Sequence, residues 1–148
     1  MPYSNFCKAE LFLQPGCTGD WEDITGDGAS VAVDGGETSV GEIFTFGKNY
    51  PIVLDGKPGR INVTARVAYT EAADEATELL RAAYETNCDR SMCIRWVPRG
   101  STGGNKMFTT VSGILISAPY PGGEANSPDP TTIEFTITCP RIEVADVV

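Results

Sequence analysis

The stretch Arg60-Ile-Asn-Val-Thr-Ala-Arg-Val-Ala-Tyr69 alternates strictly. Ile61, Val63, Ala65, Val67 and Tyr69 fall on one side, and Arg60, Asn62, Thr64, Arg66 and Ala68 on the other. A period of two is the pattern of a half-buried strand. Directly after it the period changes. Ala72, Ala76, Leu79, Leu80, Ala83 and Tyr84 draw one helical stripe between Glu71 and Glu85. Thr70 suits the N-cap, and Glu71, Asp74 and Glu75 suit the positive end of the helix dipole. Asn87 suits the C-cap. The stripe is narrow and alanine-rich, so this helix lies on a sheet edge or face and is not a bundle member.

Strand signals surround this pair. Downstream, Met92, Ile94 and Trp96 alternate with Cys93, Arg95 and Val97. Pro98 to Asn105 reads as a hairpin loop, and Met107 to Ser117 as a long strand apolar on both faces, hence covered twice. A Pro- and Gly-rich loop then leads to Thr131–Cys139, where Ile133, Phe135, Ile137 and Cys139 point inward. Pro140 stops that strand and leaves a tail, Arg141 to Val148. Upstream, Cys7–Leu13, Ala29–Val33, Glu42–Phe46 and Tyr50–Leu54 are strand candidates, and Asp55-Gly-Lys-Pro-Gly59 is a turn. The expected fold is all-β dominated, a sandwich or barrel with one helix, in a single domain over residues 1–148.

Composition and charge exclude several functions. Hydrophobic residues make up 41% and charged residues 21% of 148, which is a globular balance. The net charge of −9 argues against gripping nucleic-acid backbones or anionic membranes. No apolar run approaches the roughly 20 residues a membrane helix needs, and the N-terminus shows no signal-peptide pattern. A soluble, cytoplasmically made protein follows, and its five cysteines are expected to be reduced. The acidic excess is densest at Asp20, Glu22, Asp23, Asp27, Asp34 and Glu37, in a stretch rich in Gly and Thr, which reads as a long exposed loop or hairpin from about Thr18 to Gly41.

Catalytic chemistry finds little footing. With no histidine, the commonest general base and metal ligand is missing, and a cysteine nucleophile has no imidazole to activate it. Cys88 and Cys93 form a close pair, but Cys7 and Cys17 are ten residues apart, so buried small hydrophobes are preferred over a zinc site. Asp20, Asp23 and Asp27 do not follow the EF-hand spacing. Gly103-Gly-Asn-Lys106 lacks the order of a phosphate loop. Asn62-Val-Thr64 sits mid-strand, where glycosylation is discounted. The chain is expected not to be an enzyme and to carry no cofactor or metal.

From Gly59 to Glu143 the order of elements resembles the tail tube (major tail) proteins of long non-contractile-tailed bacteriophages. The match is carried by Arg60–Tyr69, the helix ending in Glu78-Leu-Leu-Arg-Ala-Ala-Tyr84, Met92-Cys-Ile-Arg-Trp96, Val111-Ser-Gly-Ile-Leu-Ile-Ser117 and Thr131–Thr138. The resemblance implies a β-sandwich flanked by a helix, with one sheet of each subunit joining a continuous inner β-barrel in a hexameric ring. Rings would stack into a virion tail tube assembled in the host cytoplasm, through which DNA passes without specific binding. Partners would be further copies of the chain and the tape measure, tail tip and tail terminator proteins, with no membrane. Glu134, Thr136 and Thr138 become candidate lumen residues in a negatively lined conduit. The acidic 18–41 stretch becomes the ring-to-ring loop, and residues 140–148 a C-terminal arm bearing Arg141, Glu143 and Asp146. Two rival readings share the composition: the inner tube of a contractile injection system, and a capsid decoration or adhesion module.

Overall fold

A computed structural model describes residues 5–72, 75–86 and 89–148. A short 3-10 turn, Phe6–Lys8, precedes β1 (Glu10–Pro15), β2 (Glu22–Asp23), β3 (Gly28–Gly35), β4 (Thr38–Ile43), β5 (Ile52–Pro58) and β6 (Ile61–Ala68). There follow α1 (Ala76–Glu85), β7 (Met92–Val97), β8 (Lys106–Val111), β9 (Ile114–Leu115), β10 (Thr132–Cys139) and β11 (Arg141–Asp146). One sheet has the order β11-β8-β7-β1-β2, the second β3-β6-β10-β9, and β4-β5 stand apart as a pair.

The two larger sheets form the sandwich. Leu11, Leu13, Ile94 and Trp96 of the first share one core with Val63, Ala65, Val67, Ile133, Phe135 and Ile137 of the second. Register makes this possible: Ile133, Phe135 and Ile137 stand opposite Val67, Ala65 and Val63, so the two alternating strands turn the same face inward. The helix packs against β1 and β6 and sinks Ala76 and Leu80 into this core. It starts five residues later than the stripe suggests. Thr70 does not cap it: Thr70 is tied by its carbonyl to Thr77 Oγ1, which donates at 2.6 Å. The N-cap position belongs to Glu75, whose side chain makes no capping bond. Asn87, expected as a C-cap, lies outside the described residues, as do Ala73, Asp74 and Cys88.

Three expectations are corrected. First, 107–117 is not one doubly covered strand. The chain leaves the first sheet after Val111, turns at Ser112 (φ 56) and Gly113, and enters the second sheet as β9. A Cβ on Gly113 would lie 2.4 Å from the Met92 carbonyl oxygen and 2.8 Å from Ile137 Cγ2. Thr110 and Leu115, on either side of the crossing, are buried, while Ile114 and Ile116 stay about half exposed. Second, 141–148 is not a free arm. Arg141 to Asp146 pairs with β8 along its whole length, from Arg141↔Val111 to Asp146↔Lys106. Pro140 ends one ladder, but the chain turns into the opposite sheet and starts another. Third, Asp55 to Pro58 is not a turn but the second half of β5.

The cysteines also depart from expectation. Cys17 and Cys93 form a disulfide across a sequence separation of 76. Pairing of β1 with β7 sets Gln14 opposite Cys93, and a tight turn, Cys17 N–H to Gln14 carbonyl at 3.1 Å, brings Cys17 alongside. Closing a loop of that length stabilises by about 4 kcal/mol in the chain-entropy account. Cys17→Ser should lower the unfolding free energy by roughly that amount in guanidinium melts, and dithiothreitol should abolish the difference. Gly113→Ala should cost about 3 kcal/mol by the same assay, because the obstructing oxygen is main chain and cannot rotate away.

Candidate assembly surfaces

Glu134, Thr136 and Thr138 do share one face. It is the outer, polar face of the four-stranded sheet, where Glu134 stands opposite Arg66, Thr136 opposite Thr64 and Thr138 opposite Asn62. The Thr64 and Thr136 hydroxyls are hydrogen-bonded at 3.0 Å. β3 extends the rows with Ser30, Ala32 and Asp34. The face therefore carries Asp34 and Glu134 against Arg66. It is rich in small hydroxyls and amides, and its acidity is diluted by one guanidinium. Thr138 Oγ1 and Asn62 Oδ1, side by side on one row, are shut off from solvent without a partner among the described residues.

The acidic residues do not make a projecting loop. Asp20 lies in the β1–β2 connection, Glu22 and Asp23 form β2, Asp27 precedes β3 and Asp34 is on β3. Trp21 is held down on the outer face of the five-stranded sheet, with the Arg95 guanidinium 4.2 Å from its ring centre. Burial lowers the pKa of Arg95, with Glu143 acting in the opposite direction. Burial, and then the nearby Glu75, raise the carboxyl of Asp27. Removing Asp20 to Gly36 would take out a whole strand of the sandwich, so this stretch is structural. Only Glu37 reaches the element that does project, where its carbonyl accepts from the Gly59 N–H at 2.9 Å. Arg141, Glu143 and Asp146 lie on β11, with Asp146 paired to Lys106.

The projecting element is the β4–β5 hairpin. Its residues on both strands are exposed. Ile43 pairs with Ile52, and Gly41 with Leu54, so one face is apolar over these two pairs. The tip adds Phe44, Phe46 and Tyr50, at 66%, 114% and 67% exposure. Such a patch on a two-stranded ribbon is not a stable free surface in water. These residues went unassigned in the sequence because alternation reports a strand's faces and not whether a second sheet covers them. The concentration of aromatics between Phe44 and Tyr50 was the available signal. The hairpin is a separate pair that follows Gly35, whose φ is +85 and where a Cβ would sit 2.6 Å from the Arg60 carbonyl oxygen. β3 itself is an edge strand with one side unpaired within the sheet.

Among the described residues, no three His, Cys, Asp or Glu side chains gather as a metal site, and no helix is long and apolar enough to cross a membrane. No protein-family model and no curated protein matches the chain. Solved structures do. A chain in the sheath-tube complex of an extracellular contractile injection system (PVC, extended state) aligns with TM-score 0.63 at 17% identity, over 99% of this chain and 92% of that one. One in the anti-feeding prophage (AFP) baseplate aligns with TM-score 0.72 at 8% identity, over 99% and 97%. One in the tail of an empty gene transfer agent (GTA) particle aligns with TM-score 0.63 at 8% identity, over 94% and 95%. The chain has the fold of subunits from these tube-bearing particles. The first of the three comes from a contractile injection system, so the non-contractile type suggested by the sequence resemblance is not singled out.

Proposed function

We propose that the chain is a structural subunit of a phage-like tail or injection tube, stacking as hexameric rings. The observation that carries this reading is the uncovered apolar β4–β5 hairpin beside the sandwich. Burying an apolar side chain contributes about 1.5–3 kcal/mol, so Ile43, Phe44, Phe46, Tyr50, Val53 and Leu54 offer on the order of 10 kcal/mol gross. Association costs about 4–15 kcal/mol. One contact between two copies is thus marginal. Six in parallel between rings are not, because linked contacts multiply. The open edge of β3 offers a second contact, strand to strand, by which neighbouring subunits would continue the four-stranded sheet around a barrel.

In that arrangement the polar face of the four-stranded sheet lines the lumen. Thr64, Thr136 and Thr138 present neutral hydroxyls, and Asp34 and Glu134 outweigh Arg66. A duplex passing along such a wall meets weak repulsion and no phosphate clamp. Genome delivery through a virion tail assembled in the host cytoplasm is the reading this favours. The partners would be further copies, a tape measure, a tip and a terminator. The injection-system neighbours favour a second reading of the same tube, one enclosed by a contractile sheath.

Negative-stain microscopy and sedimentation across protein concentration and salt test the proposal. Hollow tubes or six-fold rings are expected. Replacing Phe44 and Phe46 together with Ser should leave the melting transition unchanged, since both side chains are already exposed, and should abolish those assemblies. A compact dimer or trimer that both variant and wild type form equally would contradict the proposal and favour a decoration or adhesion module.

A further inference from the structure

We infer that the Cys17–Cys93 disulfide is a redox-operated latch on the β1–β2 connection. A small-molecule thiol of the glutathione class opens it at Cys17, and the connection comes free of β7 while the sandwich stays closed. The surroundings of the two sulfurs carry this, whether or not the chain builds a tube.

The two cysteines are unequally placed. Cys93 is 3% exposed on β7. Cys17 is half-buried, between exposed Gly16 and Thr18. An attacking thiolate therefore reaches Cys17 before Cys93. Strained or exposed disulfides are the labile ones. Cys17 is accessible and also held at φ +55, a left-handed backbone that a residue with a Cβ avoids. Gly113 completes the arrangement. Its N–H donates to Cys93 Sγ at 3.4 Å, and its carbonyl oxygen lies 3.6 Å from Cys17 Sγ. The N–H steadies the charge on Cys93 as it departs as a thiolate. The carbonyl is an acceptor for the Cys17 thiol once that forms.

The exchange balances in two steps. A thiolate RS⁻ attacks Cys17 Sγ and forms a mixed disulfide there. The bond to Cys93 breaks with its electron pair on Cys93 Sγ, which takes a proton. A second RS⁻ attacks the R sulfur of the mixed disulfide and releases Cys17 as a thiolate, which takes the second proton. Two RSH are oxidised to RSSR, and the protein disulfide is reduced to two thiols. RSSR drives the reverse.

The connection has little else to hold it. None of residues 16–21 belongs to the core cluster. Their other ties are main-chain and surface contacts: Gly16 N–H to the Ser91 carbonyl at 2.8 Å, Gln14 Nε2 to the Gly19 carbonyl at 2.7 Å, and Trp21 beneath the Arg95 guanidinium. Gly16 and Gly19 sit at φ +70 and +85, where glycine moves freely. The sandwich keeps its own hold on the flanking strands. β1 pairs with β7 from Glu10↔Val97 to Pro15↔Met92, and Leu11, Leu13, Met92 and Ile94 are buried. Opening the latch therefore lifts Trp21 from Arg95 and changes the outer face of the five-stranded sheet, where Arg95 stands beside Phe12 and Thr109.

The test is thiol trapping on the full folded chain. Free thiols are first blocked with iodoacetamide. The chain is then held in glutathione at neutral pH without denaturant, quenched in acid, digested and analysed by mass spectrometry. A glutathione adduct on Cys17 with a thiol at Cys93 is expected, and oxidised glutathione should reclose the bond. Hydrogen exchange in the reduced chain should rise about tenfold across residues 16–21, as local opening requires, and stay unchanged across 61–68 and 132–139. Tryptophan emission should shift as Trp21 leaves Arg95. Cys17→Ser should show the same exchange pattern with no thiol added. An adduct on Cys93, a bond that opens only in denaturant, exchange that rises through the core strands, or exchange at 16–21 that does not change on reduction would each overturn the latch.

Discussion

The β4–β5 pair stands outside the core that β3 and β6 help to close, and its uncovered apolar side chains are the constraint on the rest of the molecule. Over Ile61 to Ala68 the β3–β6 ladder has a second sheet beneath it, and Val63, Ala65 and Val67 are fully buried. Beyond Gly35 the chain goes on into the separate β4–β5 pair, whose strands are exposed throughout. Backbone groups pair between these two strands, but their side chains are not buried. Val53 and Leu54 are more than half exposed although their strand is as apolar as a core strand. A monomer can hold this shape, but only assembly removes that surface from water.

The closed part of the molecule is correspondingly stiff. The disulfide ties the β1–β2 turn to β7, Gly113 lets the chain change sheets where no side chain fits, and β11 adds an edge strand to the five-stranded sheet. A rigid body holds its uncovered ribbon at low entropy cost for a partner. A floppy sandwich would spread the ribbon over many directions and raise the entropy cost of any contact it makes.

Much of the sandwich was legible in the sequence. The alternations at 60–69 and 131–139 assign inward residues, and the structure places those residues inward. The helix stripe found the right element, while its start was misjudged because the Thr70–Thr77 hydrogen bond is a tertiary contact between residues that capping rules treat as local. The crossing at Ser112–Gly113 was invisible because a strand that changes sheets is as apolar as one covered twice. β11 was missed because proline was read as an end and not as a change of sheet. The acidic stretch, expected as an exposed loop or hairpin, is exposed at Asp20, Glu22, Asp23, Asp34 and Glu37, but β2 and β3 run through it. On a sandwich's outer faces and edges, charged residues belong to strands as readily as to loops. The Cys17–Cys93 pair lies beyond the reach of spacing arguments, since only the β1–β7 register brings the two together.

Hydrogen–deuterium exchange on monomer and on the largest assembly it forms, compared peptide by peptide, tests the central claim most directly. The account predicts fast exchange across residues 38–58 in the monomer and strong protection of the same residues in the assembly, with the core strands β6 and β10 protected in both. Hairpin exchange that stays fast in the assembly, with new protection appearing only elsewhere, would contradict it.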